Sequence, residues 1–99
     1  MIIPLSLDVR RDDVRPYFLW DEPLTAGELR RIVKDPSHPE RLRYVERILR
    51  EARVDDVWAF LTPQDVAAVW PGSRGHLGRR EPVWELLLTT WRRHGLLAA

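Results

Sequence analysis

Cysteine is absent from the 99 residues, and its absence excludes disulfides, thiolate catalysis and cysteine zinc sites. Asparagine is absent as well, and Lys34 is the only lysine among 16 basic residues. No apolar run approaches the roughly 20 residues that a bilayer crossing needs. Met1-Ile2-Ile3-Pro4 lacks the basic and apolar regions of a signal peptide. The expectation is one soluble, cytoplasmic domain whose core must do without a covalent or metal staple.

Strong charge of either sign is also missing. The net charge is +1, but it is unevenly spread. Residues 1–73 carry 11 basic and 13 acidic side chains, and residues 74–99 carry 5 and 2. A mildly basic C-terminal end falls short of the surface expected of a dedicated nucleic-acid binder.

Five capped amphipathic segments follow a stretch without helical periodicity. Over residues 1–22 the alternation Leu5, Leu7, Val9 suggests a strand with nothing to pair with, so an extended N-terminal arm is expected, with the aromatics of 17–20 resting on the body. Residues 1–14 are then dispensable for folding. Residues 23–99 form the helical domain. Thr25 and Glu28 predict a capping box, with Leu29, Ile32 and Val33 as the buried stripe before Asp35-Pro36. Ser37 and Glu40 predict a second box, opening a helix with Leu42, Val45, Ile48, Leu49 and Ala52 inward and Glu46–Arg50 as an (i, i+4) pair. Val54, Val57, Trp58 and Leu61 mark a short third helix. Thr62-Pro63-Gln64-Asp65 opens a fourth, which Pro71-Gly72 should stop. The fifth runs from about Glu81 to His94, with Gly95 as its left-handed terminator. The fold expected is all-α, an irregular bundle of about five short helices.

Catalytic and ligand-binding patterns are hard to assemble. His38, His76 and His94 never fall three or four residues apart, and Asp55-Asp56 diverge by about 100° on a helix. Neither set makes a metal site. Gly72, Gly75 and Gly78 lack the preceding strand and the Gly-Lys-Ser/Thr of a phosphate loop. The three serines find no base, so no enzyme, cofactor or metal is expected. Four of the five tryptophans sit on apolar stripes, which assigns Trp58, Trp70, Trp84 and Trp91 to the core. Trp20 is read both as core and as part of a docking segment.

The residues left for function are arginines and aromatics. Arg10, Arg11 and Arg15 with Tyr17, Phe18 and Trp20 give the arm the composition enriched in interface hot spots. Arg79, Arg80, Arg92 and Arg93 form a second candidate patch at the C-terminal end. Short helices before an Arg-bearing helix imitate a DNA reader, yet Glu81, Pro82, Val83 and Trp84 occupy its base-reading positions. A protein partner is the preferred reading, with a small DNA-binding regulator as the alternative.

The segments Arg15-Pro16-Tyr17-Phe18-Leu19-Trp20-Asp21, Val54-Asp55-Asp56-Val57-Trp58 and Trp91-Arg92-Arg93-His94-Gly95-Leu96 together resemble a group of short bacterial proteins encoded beside AbiEii-type nucleotidyltransferase toxins. The resemblance spans about residues 15–97. It implies an antitoxin or accessory subunit that binds and restrains the toxin, and it assigns no residue a role.

Overall fold

In the computed structural model, which describes residues 3–97, two very short strands precede five helices. The strands are β1 (Leu5–Ser6) and β2 (Arg15–Pro16). The helices are α1 (Ala26–Lys34), α2 (Arg41–Glu51), α3 (Val54–Val57), α4 (Pro63–Ser73) and α5 (Glu81–Arg93), with a 3₁₀ turn at Gly78–Arg80 leading into α5. The architecture is all-α around one hydrophobic core. No helix among the described residues is long and apolar enough to cross a membrane.

Helix α1 begins as its sequence predicts. Thr25 Oγ1 accepts the Glu28 N–H at 3.2 Å, and Glu28 Oε1 accepts the Thr25 N–H at 3.0 Å. The same reciprocal arrangement joins Thr62 and Asp65 at the start of α4. Helix α5 ends in a full Schellman motif. The Leu96 N–H reaches back to the Trp91 carbonyl and the Gly95 N–H to that of Arg92, with Gly95 at φ 73°.

Four local expectations fail. The Ser37–Glu40 box does not form, because the Asp35 carboxylate takes both the Ser37 N–H (3.0 Å) and its hydroxyl (2.8 Å). A side chain offering an alternative turn outcompetes the helix there, and α2 starts only at Arg41. Leu42 is exposed, and Tyr44 joins Val45, Ile48 and Leu49 inside. The (i, i+4) ion pair on this helix is Arg47–Glu51, since Glu46 turns to His76. Finally, α4 runs through Pro71-Gly72 to Ser73. A proline forfeits one N–H bond, but buried Trp70 and Ser73 hold the last turn, and the Arg74 N–H still reaches the Trp70 carbonyl.

The largest difference lies at the N-terminal end, where the expected arm is folded into the body. Strand β1 does find a partner: Leu5 pairs with Arg15 and Ser6 with Pro16 in parallel register. Val9 and Leu19 are completely buried and belong to the same core as Trp84, Leu29 and Ile48. The carbonyls of Val14 and Asp12 accept the N–H groups of Ala26 and Gly27. They thereby satisfy donors that the first turn of α1 cannot satisfy itself.

Three arginines staple this segment by its carbonyl oxygens. Arg15 donates to the carbonyls of Ile3, Leu19, Trp20 and Glu22. Arg30 donates to those of Val9, Arg10 and Ala59 and to the Asp12 carboxylate. Arg47 holds the Phe18 carbonyl and the Asp21 carboxylate. The guanidinium fork suits such work, because it presents five donors in one rigid plane.

Candidate protein-docking surface

The candidate residues of the N-terminal segment divide by what they touch. Arg15 is spent on the four carbonyls just described, and Phe18 is buried against Phe60 at 5.8 Å between ring centres. Arg11 is exposed and paired with its neighbour Asp13 at 2.8 Å, a contact of little energetic weight. Trp20 is 64% exposed and carries the Arg47 guanidinium over its ring at 5.7 Å. It is a surface aromatic, not a core one.

Arg10 and Tyr17 come together at a place the sequence did not single out. Tyr17 donates its hydroxyl proton to Asp56 Oδ2 at 2.6 Å and accepts the Arg53 N–H at 2.8 Å. One phenol thus satisfies the backbone N–H of Arg53, just ahead of α3, and partners a buried carboxylate. Arg53 Nε also donates to Asp56 Oδ2 at 3.2 Å, and its guanidinium lies over the Tyr17 ring at 5.4 Å. Arg10 approaches Asp56 Oδ1 at 3.7 Å. Burial, and then the hydrogen bond to Asp56, raise the Tyr17 pKa above its ordinary value. The Tyr17 and Asp56 contacts raise that of Arg53.

Trp58 forms the wall beside this cluster. It is 36% exposed, so the core assignment drawn from its stripe position is corrected. Its ring packs edge-on against Trp84 (6.0 Å) and against Trp91 (5.7 Å), which is itself only half-buried. Trp84 is the tryptophan fully inside, its indole N–H donating to the Leu49 carbonyl at 2.8 Å. The stripe on α5 therefore emerges from the core at its C-terminal half, and the short α3 leaves Trp58 at the rim. Arg10, Arg53, Asp55, Asp56 and Trp58 line an open hollow of about 580 Å³.

The C-terminal arginines do not act as one patch. Arg80 is turned inward and donates to the Ala52 carbonyl. Arg79, Arg92 and Arg93 are exposed, and Arg92 borders a separate hollow of about 320 Å³ with Gln64, Ala67, Ala68 and Leu97. The residues of α5 that face solvent include Pro82, Val83, Glu85 and Leu86. None of these four offers the side-chain donors that read base edges.

Sequence reasoning missed Arg53, Asp56 and Trp58. Asp56 reads as an ordinary acid in a first turn, and its partner Tyr17 lies 39 residues away. Only the docking of the N-terminal segment creates the site. The one local signal was Asp56 falling between apolar Val54 and Val57, on a helix too short to keep it clear of the core. Among the described residues, no group of three or more histidine or acidic side chains is gathered as a metal site would require. What the hollow offers chemically is two guanidinium groups, the exposed Asp55 carboxylate and an indole. Arg53 is held by the buried Asp56 carboxylate and the Tyr17 ring, and the indole by Trp84 and Trp91. No family model, curated protein or solved structure matches the chain.

Proposed function

We propose that the protein is a non-catalytic binding module that docks a protein partner through the arginine–tryptophan surface around Trp58. The observation that carries this reading is an exposed indole braced by two further tryptophans and flanked by Arg10 and Arg53. Tryptophan, tyrosine and arginine are the residues enriched where single side chains dominate binding. Bracing matters because a ring already fixed loses little entropy on association. The resemblance noted in the sequence adds a partner class, a nucleotidyltransferase toxin encoded beside the gene, and with it a cytoplasmic setting.

The test is co-expression with the product of the adjacent reading frame, followed by calorimetry. Trp58→Ala should weaken the complex at least about tenfold, equivalent to about 1.4 kcal/mol, while circular dichroism keeps its helical shape. Full affinity in that variant would remove the docking assignment. A second reading, DNA contact, draws on the exposure of Arg79, Arg92 and Arg93. Its mark would be a sequence-specific complex that survives physiological salt and is lost in Arg92→Ala/Arg93→Ala.

A further inference from the structure

We propose that the hollow between Arg10 and Arg53 is a receptor for one carboxylate side chain, presented by an acidic peptide segment with an apolar residue beside it. The inference rests on the docking reading above and deepens it by naming the chemistry of the group received.

The argument begins with what is already neutralised. Asp56 is buried, and its Oδ2 is shared by the Tyr17 hydroxyl and Arg53 Nε. Asp56 on the floor and Asp55 on the rim thus face two guanidinium groups, both more than half exposed at their side chains (64% for Arg10, 61% for Arg53), and Asp56 is the carboxylate already engaged. Among the described residues, the Nη1 and Nη2 groups of Arg53 donate to nothing. Those two nitrogens form the edge of the fork that grips a carboxylate through two parallel bonds.

Arg53 is also preset, whereas the Arg10 side chain is held only by its 3.7 Å approach to Asp56. Arg53 is oriented by Asp56 and by the Tyr17 ring beneath it. The backbone of Arg10 is pinned where its carbonyl accepts from Arg30 and its N–H donates to Asp8. A ligand entering here need not order Arg53, and preorganisation lowers the cost of binding at small sites.

The remaining walls narrow the choice of anion. Trp58 supplies an apolar face at the rim, suited to the methylenes or ring of a residue flanking the acid. Asp55 lies on the same rim, exposed and without a cationic partner among the described residues. A nearby negative charge opposes a doubly charged phosphate or a polyphosphate backbone more than a single carboxylate. The hollow therefore fits an Asp or Glu with an apolar neighbour better than it fits nucleic acid.

The experiment titrates the intact protein with acetyl-Ala-Glu-Leu-Ala-amide and with the glutamine peptide of the same shape. The readouts are the Trp58 indole N–H and the Arg53 Nε–H by nuclear magnetic resonance. The glutamate peptide should give saturable shifts at both groups, and the glutamine peptide should bind at least about tenfold more weakly. Arg10→Gln should weaken the glutamate peptide by a similar factor without altering the circular dichroism. Asp55→Asn should tighten it. Inorganic phosphate and a short DNA duplex at matched ionic strength should both bind less well.

Equal affinity for the two peptides would overturn the proposal, as would stronger shifts with phosphate or duplex, or no shift at Trp58. The two readings fail separately. If Trp58→Ala abolishes the partner complex while the peptides are not distinguished, docking stands and the carboxylate receptor falls. If the glutamate peptide is selected but Trp58→Ala leaves the partner complex intact, the receptor stands and the docking assignment falls.

Discussion

Gly27 sits in the first turn of α1, where helix propensity alone would favour alanine by about 1 kcal/mol. The structure reverses that expectation. A Cβ at position 27 would lie 2.9 Å from Asp12 Cβ and 3.2 Å from the Asp12 carbonyl oxygen. Asp12 cannot retreat cheaply, because Arg30 grips its carboxylate and its carbonyl accepts the Gly27 N–H. Gly27→Ala should therefore destabilise by about 1–3 kcal/mol, as overpacking does, and a denaturant midpoint shift would measure it. The tryptophans divide in the same way, by position more than by type. Trp84→Ala removes a fully buried indole and a buried hydrogen bond and should cost about 3–5 kcal/mol. Trp58→Ala, starting from the rim, should cost clearly less in the same unfolding experiment.

Among the elements, the helices were the legible part. Thr25, Thr62 and Gly95 announce two starts and one end through chemistry confined to a few neighbouring residues. Errors arose where a local signal had a competitor, as at Ser37, which Asp35 captures, or where a breaker cost less than the packing beyond it, as at Pro71. The N-terminal segment was misread for another reason. Its order comes from Arg30, Arg47 and the start of α1, all distant in the chain, and no window of alternating residues contains them. Removing residues 1–14 should accordingly lower stability by about 2–4 kcal/mol. The loss combines the burial of Val9 with the exposure of the α1 donors that Asp12 and Val14 satisfy. Thermal unfolding of the truncated chain measures it, and a melting temperature equal to that of the full chain would restore the idea of a dispensable arm.

For the whole molecule, the ionisable groups predict a broad plateau of stability with two edges. Asp21 is held below the usual carboxylate range by its hydrogen bond from Arg47, Glu28 by the Thr25 backbone N–H and hydroxyl, and Asp35 by Ser37. A lowered folded pKa contributes stability above the unfolded value, near 4 for these acids, and loses it as pH falls through the folded value. Tyr17 and Tyr44 are shifted the other way, by burial first and then by Asp56 and Glu22. Their contribution is complete below about pH 10 and disappears as pH rises through the folded pKa. The melting temperature should thus change little between about pH 5 and 9, fall below about pH 4, and fall again above about pH 10. An optimum confined to a narrow band near neutrality would contradict these assignments. The same cluster explains how much of the candidate site could be read in advance. Arg10 and Tyr17 were legible as interface-type residues, but Asp56, which places them together, is defined only by the tertiary fold.

The arginine staples have a consequence for how order in this protein would be observed. They hold the N-terminal segment by carbonyl oxygens, those of Ile3, Val9, Arg10, Phe18, Leu19, Trp20 and Glu22. The N–H groups of Asp12 and Asp13 donate to no other described residue, whereas those of Arg11 and Val14 close turns over residues 9–10 and 12–13. Amide exchange reports only on donors, so these two free amides should trade their protons for deuterium almost as fast as an unfolded peptide. Relaxation measurements on the same two nitrogens should give order parameters near 0.85, the value of rigid backbone. Fast exchange joined to high order is the signature of a chain fastened by its acceptors alone, and low order parameters there would show that the staples do not hold in solution.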